Sequence, residues 1–319
     1  MMASTDNEPA RANLPGARAA AQDRDMANKT QRSNIPLRHR RAKFDFAGVP
    51  VFWNGGDAFS TRFLDALSVN FPQGERFFMD AVRAFESAVD DAALREQMRL
   101  FVRQEAQHGA AHARYNERLL AQGVKVGSIE RSLKRQQDSM QRKLPRARQL
   151  ALTAAAEHVT ALLAEGLLGA APLLDERTDQ TMRALYLWHA VEEVEHKSVA
   201  FDVFQAATGG DYWMRASAMV MFTLYLHVRI AAIMKHMLDV DALPRRRATV
   251  ARGLWRMYGP RGYLTRLVPS YLAWFKPNFH PWQSGTPAQV ARWITAYERE
   301  QDPLRATAAL FSQPAASAA

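Results

Sequence analysis

Two short motifs of one form, Glu105-x-x-His108 and Glu193-x-x-His196, each place a carboxylate and an imidazole one helical turn apart. Both sit in apolar stripes. Leu94, Met98, Phe101, Glu105, His108, His112, Tyr115 and Leu119 recur at steps of three or four, and Leu185, His189, Glu193, His196, Ala200 and Phe204 repeat the arrangement. Such a stripe faces a core, so these polar groups should point inward. Leu150, Ala154, Glu157, Ala161, Ala164 and Leu168 add one inward carboxylate, and Glu75 shares a face with Met79, Val82 and Glu86. Burying four carboxylates together is prohibitive without compensation, because each isolated ion costs several kcal/mol and like charges add to it. Protonation relieves part of that cost. Two divalent cations relieve more, since Glu75, Glu105, His108, Glu157, Glu193 and His196 can satisfy two ions through bridging carboxylates. Internal salt bridges are the bland alternative. Hard oxygen donors with imidazole and no sulfur favour iron or manganese over zinc.

Long helices are needed to carry these residues. Pro72 marks a helix start, with Glu75 to Val89 following, and Asp90 or Asp91 caps a second helix that runs to Gln122 and stops at Gly123. A basic, poorly periodic segment, 131–148, leads to a third helix from about Ala147 to Ala171, ended by Pro172. The fourth runs from about Thr178 to Ala207, and the fifth over 211–238. Within the fifth, Ala216 to Val228 is uncharged but shorter than the roughly 20 residues of a spanning helix, and reads as buried. The fold expectation is all-α: an antiparallel four-helix bundle core with additional C-terminal helices. Its expected division is a disordered basic arm (1–41), the bundle with its dinuclear site (42–240), a basic and aromatic helical extension packed on it (241–300) and a flexible tail (301–319). No strand pattern, repeat, phosphate loop, G-x-S-x-G elbow or H-E-x-x-H motif is found.

The 319 residues are 48% hydrophobic and 23% charged, an ordinary globular balance. There are no cysteines, which excludes disulfides, thiolate zinc sites, iron–sulfur clusters and cysteine nucleophiles, and fits a cytoplasmic location. No stretch in the first 40 residues has the apolar length of a signal peptide. The net charge of +10 is concentrated in 242–297, which lacks Asp and Glu but holds Arg245, Arg246, Arg247, Arg252, Arg256, Arg261, Arg266, Lys276 and Arg292. Aromatic residues from Trp255 to Trp293 are interleaved with them. They complete the core, with the arginines solvated, or make a peripheral membrane contact through 242–297, or bind an acyl-carrier or nucleotide-like substrate. Nucleic acid is not expected as a partner, because no recognised nucleic-acid motif is present.

Three stretches carry a family resemblance: Phe71-Pro72-Gln73-Gly74-Glu75-Arg76-Phe77-Phe78, Gln104-Glu105-Ala106-Gln107-His108, and Glu192 to Asp202. With Phe279-His280-Pro281-Trp282, they resemble the bacterial family of predicted metal-dependent hydrolases over roughly 42–300. The metal pattern is that of ferritin-like dinuclear proteins. It is also similar to di-iron N-oxygenases that oxidise aryl amines, which carry a further histidine one turn before the last Glu-x-x-His. His189 stands there, and the resemblance makes it a seventh ligand.

The main expectation is therefore a di-iron oxygenase or oxidase that uses O2 on a small organic substrate. Manganese or a mixed iron–manganese pair is the alternative metal. With no flavin or nicotinamide motif, electrons would come from a reductase or ferredoxin. The alternative activity is a dinuclear hydrolase using a bridging hydroxide, and non-catalytic metal storage is a third reading. No catalytic residue beyond the ligands is assigned, and a homodimer is left open. Among the neighbours, His112 is expected to support a ligand or pack in the core, and His158 to point away from the site. Glu192 and Glu195 flank the motif on a neighbouring face, and Asp202 either orients a ligand histidine or lies at the surface.

Overall fold

Four helices begin at an aspartate whose side chain accepts from their free N–H groups. In the computed structural model, which describes residues 35–169 and 173–312, these caps are Asp57, Asp91, Asp179 and Asp211. The helices are α1 (Ala58–Arg83), α2 (Ala92–Ala121), α3 (Val126–Lys143), α4 (Arg146–Leu168), α5 (Gln180–His196), α6 (Val199–Thr208) and α7 (Tyr212–Val240). They are followed by α8 (Arg246–Tyr258), α9 (Tyr263–Ala273), α10 (Ala288–Glu300) and α11 (Pro303–Ser312). The described residues contain no strand, only an isolated bridge between Asn54 and Thr178. The fold is all-α.

The four helices bearing the candidate ligands close a ring of contacts: α1 on α2, α2 on α5, α5 on α4, and α4 on α1. From Met182 to His196, α5 is buried on every face, and most of α4 is buried too. A helix buried on every face belongs to the core, and the polar side chains of α5 must therefore find partners inside it. Around the ring, α7 packs on α1 and α4, α8 on α1, α9 on α4, and α10 and α11 on α5.

The structure corrects several boundaries. The first helix does not start at Pro72 but carries it inside. A proline there leaves the carbonyl four residues earlier without a donor. Asn116 on α2 fills the gap, its Nδ2 donating to the Ser68 carbonyl at 3.1 Å. The basic segment 131–148 is mostly helical, as α3. The fourth expected helix is broken at Lys197–Ser198 into α5 and α6.

Of the expected basic arm, residues 1–34 lie outside the described residues. At its end, Leu37 and Arg40 are buried, so the ordered chain reaches back before residue 41. The expected tail forms α11, with Ala306 and Thr307 buried and Trp293 Nε1 donating to Thr307 Oγ1 at 2.9 Å. Residues 313–319, and the expected end of the third helix at 171–172, also lie outside the described residues. The uncharged run Ala216–Val228 is not a buried helix. It packs on α1 and α4 with one side and exposes Val220, Met221, Leu224 and Val228 on the other.

Candidate metal centre

All seven candidate ligands are buried and converge inside the ring. Their donor atoms gather in three overlapping groups: Glu75, His108 and His189; Glu105, His108 and Glu193; and Glu105, Glu157 and His196. His189 Nε2 is 2.9 Å from Glu193 Oε1 and 3.9 Å from Glu75 Oε1. His108 Nδ1 lies 3.5 Å from Glu105 and 3.7 Å from Glu193. His196 Nε2 is 3.3 Å from both Glu105 Oε1 and Glu157 Oε2, and 3.5 Å from Glu193 Oε1.

These donors have few other partners. Both carboxylate oxygens of Glu75, Glu105 and Glu157, Oε2 of Glu193, Nδ1 of His108 and Nε2 of His196 are buried without a hydrogen bond among the described residues. Buried polar atoms are otherwise almost always paired. A cluster of unpaired atoms that are all ligand types, all facing one volume, fits a pair of divalent cations.

Electrostatics in the metal-free chain tell the same story. Burial, then the charge of Glu193, pushes Glu75 and Glu157 well above the ordinary carboxylate range. Burial, with Glu157 and Glu193, does the same to Glu105. For Glu193 burial also acts upward, but His196 and His189 outweigh it and hold it well below. Burial keeps His108 neutral, down to about 3, and burial with neighbouring His108 lowers His189 to about 4. Neutral imidazoles are the form that binds metal.

The opposite nitrogen of each histidine is held. His108 Nε2 is 3.0 Å from Glu192 Oε2, and His196 Nδ1 is 3.1 Å from Gln104 Oε1. His189 Nδ1 is 2.8 Å from His112 Nε2, whose other nitrogen is 2.9 Å from Ser68 Oγ. Arg40 ties this shell together, donating to Glu195 at 2.8 Å and Glu192 at 3.3 Å. Gln104 Nε2 donates to Glu195 at 3.0 Å, and Trp188 Nε1 to Glu192 at 3.0 Å. Such partners fix ring orientation and tautomer.

Aromatic rings close the volume. Phe71 lies 4.7 Å from both the His112 and His189 rings, and Phe101 lies 5.0 Å from His196. Gly109 on α2 is required for close approach, since a Cβ there would meet Glu75 Oε2 at 2.9 Å.

Sequence reasoning missed Arg40, because a lone arginine before the first helix carries no periodic signal. It named Glu192 and Glu195 only as flanking residues, although they are the acceptors of this shell. His112 supports His189, and His158 packs against Trp274 at 5.0 Å, away from the donors. Asp202 orients no candidate ligand. It accepts from Ser198 Oγ at 2.8 Å and lies 3.0 Å from His280 Nε2. Trp282 Nε1 donates to Ser198 Oγ at 3.0 Å, and the Lys197 ammonium lies 4.5 Å from the Trp282 ring. The Phe279–Trp282 motif thus clamps the helix break that directly follows His196.

A family model described as "predicted metal-dependent hydrolase" matches residues 38–285. The chain belongs to that family. The match takes in every candidate ligand, Arg40 and the clamp at Phe279–Trp282, so the family's metal dependence and the buried donor cluster coincide in this chain. No curated protein and no solved structure matches the chain.

Proposed function

We propose that this chain is an enzyme that holds two divalent cations through Glu75, Glu105, His108, Glu157, His189, Glu193 and His196, and that it acts on a small, largely apolar molecule. The observation that carries the reading is the set of unpaired buried donors on six of these residues, all but His189. The family description supports hydrolysis as the activity. When bound, such a pair supplies Lewis acidity to a carbonyl or phosphoryl oxygen and lowers the pKa of water.

The chain's own part follows from its contacts. Glu192, Gln104 and His112 aim the three imidazoles, Glu105 and His108 stand where the donor groups overlap, and Phe71 and Phe101 exclude bulk water. A narrow apolar cavity lined by Leu67, Phe71, Leu163 and Tyr186 reaches His189 and Glu193, leaving this side for the substrate.

A second reading uses the same ligands with iron, O2 as co-substrate, and electrons from a reductase or ferredoxin. Its support is the donor chemistry, rich in carboxylate and free of sulfur, together with the apolar approach.

Metal analysis of the purified protein should give two divalent ions per chain. Glu105→Ala and Glu193→Ala should each lose them, and full metal content in both variants would overturn the site. Ester, amide and phosphoester panels then test hydrolysis. O2 consumption by the reduced, iron-reconstituted protein tests the second reading.

A further inference from the structure

Apart from Val51 and Leu120, every exposed large hydrophobic side chain among the described residues lies between Trp213 and Leu272, on α7, α8 and α9. Trp213 is 78% exposed, Leu224 64%, Val228 68% and Trp255 70%. The three helices adjoin one another. Thr223 Oγ1 on α7 is 3.1 Å from the Tyr271 hydroxyl on α9, and His227 on α7 meets the Tyr258 ring on α8 at 6.4 Å. Leu224 and Val228 follow those two α7 residues directly, and Leu272 follows Tyr271. An apolar face of this extent on a water-soluble surface marks an interaction site.

The charge around it has one sign. Arg245, Arg247, Arg252, Arg261 and Arg266 are exposed and have no carboxylate partner among the described residues, and 242–297 supplies no acid. A second copy of this face would bring the same cations against each other. An anionic bilayer answers both features, taking the apolar side chains into its interface and the arginines among its headgroups.

Beneath the face lie two adjacent cavities. The first, of about 340 Å³, lies between α1, α4, α7 and α8, with Phe63, Met234 and Leu254 in its wall. Lys235 and Arg246, both paired with Asp239, also border it. The second, of about 190 Å³, passes Phe77, Met140 and Tyr225. Leu67 and Leu163 line both, and they also line the narrow cavity that reaches His189 and Glu193. The first alone has the volume of a small-molecule site.

We propose that the α7–α9 face rests on an anionic lipid bilayer, and that the cavities beneath it lead the acyl chain of a bilayer-borne substrate to Glu193 and His189. Docking is independent of the metal. Only the chain's destination rests on the function proposed above.

The test is co-sedimentation of the full chain with phosphatidylcholine vesicles, with and without phosphatidylglycerol. Binding should be at least about tenfold tighter with phosphatidylglycerol, as several arginines at an anionic surface require. Combined Trp213→Ala, Leu224→Ser and Trp255→Ala should abolish the part that survives high salt. Combined Arg245→Gln, Arg247→Gln and Arg252→Gln should remove the preference for phosphatidylglycerol.

Without vesicles, the fluorescent fatty acid cis-parinaric acid should bind the wild type. Leu163→Trp, and Leu226→Trp nearer the surface, should weaken it about tenfold or more while vesicle binding stays. No phosphatidylglycerol-dependent binding, or a dimer that the triple apolar variant dissociates, would overturn the docking. Parinaric acid that ignores both tryptophans would overturn the channel. Both assays are run on metal-loaded and chelator-stripped protein and should agree, so a failed metal assignment leaves their outcome readable.

Discussion

Helices α4 and α7 are both long and apolar enough to cross a membrane, yet the most apolar window of α4 is 72% buried and that of α7 only 28%. Composition does not separate them; the size and placement of the side chains does. Ala151, Ala154, Ala155, Ala156, Ala161 and Ala164 let neighbouring backbones approach α4 from several sides, and it is covered by α1, α5, α6, α7 and α9. Helix α7 buries Met219, Ile230, Ile233, Met234, Met237 and Leu238 against the ring, and exposes Trp213, Val220, Met221, Leu224 and Val228. The chemistry follows the same division. Glu157 sits on α4 inside the closed core, whereas α7 contributes no candidate ligand and instead walls the cavities that approach them.

The largest effect should come from placing one charge on each helix. Ala155→Asp puts a carboxylate at a fully buried position and should cost about 3–5 kcal/mol, the range of an uncompensated buried charge. Leu224→Asp on α7 should change stability by no more than about 0.5 kcal/mol. Urea unfolding followed by circular dichroism gives both values. Equal costs would mean that the outer face of α7 is covered in solution.

Metal removal should come next, and its pH dependence has a definite sign. In the stripped chain Glu75, Glu105 and Glu157 have folded pKa values above their unfolded ones. Their stabilising contribution is full below the unfolded carboxylate pKa and is lost as pH rises through the folded values. His108 and His189 act oppositely: their folded values, about 3 and about 4, lie below the unfolded pKa, so their contribution is present above it and lost as pH falls. Above the ordinary histidine range only the carboxylates remain in play. There the melting temperature of stripped protein should fall with rising pH, and added metal should reverse the trend. Amide exchange should quicken in α4 on stripping and stay unchanged on the outer turns of α7.

Much of the buried half was legible in the sequence. The paired Glu-x-x-His motifs lie on long helices, and the stripes containing Glu105, Glu157 and Glu193 face inward because ligand and apolar positions share one helical period. Features that depend on distant partners were not legible. Pro72 reads as a helix start until Asn116, far along the chain, takes over the freed Ser68 carbonyl. The exposure of α7 depends on how many helices reach it, which no local pattern encodes. Residues 303–312 look like a frayed tail because their anchor, Trp293, belongs to the preceding helix. Arg40 belongs to this class too, being defined only by Glu192 and Glu195.

Arg40 offers an intermediate effect. Arg40→Ala leaves Glu192 and Glu195 without their buried cation and loosens the carboxylate behind His108. Metal affinity should fall about 10–100-fold, as for other residues that orient ligands from behind. Competition with a chromophoric chelator measures it.

The smallest effect is expected on the outer face, and its smallness is informative. Leu224→Ser with Val228→Ser removes two apolar side chains that are already mostly in water, so little hydrophobic stabilisation is lost. Thermal unfolding of the lipid-free protein should stay within about 0.5 kcal/mol of wild type, at every protein concentration. A second copy covering the face would behave otherwise, because association stabilises the folded state by mass action and makes the midpoint depend on concentration. A clear loss of stability that grows with wild-type concentration would then place α7 beside α4, as a helix buried on both sides with one side supplied by another chain. A flat response keeps the contrast, with α4 built to hold charge in the dark and α7 left open to its surroundings.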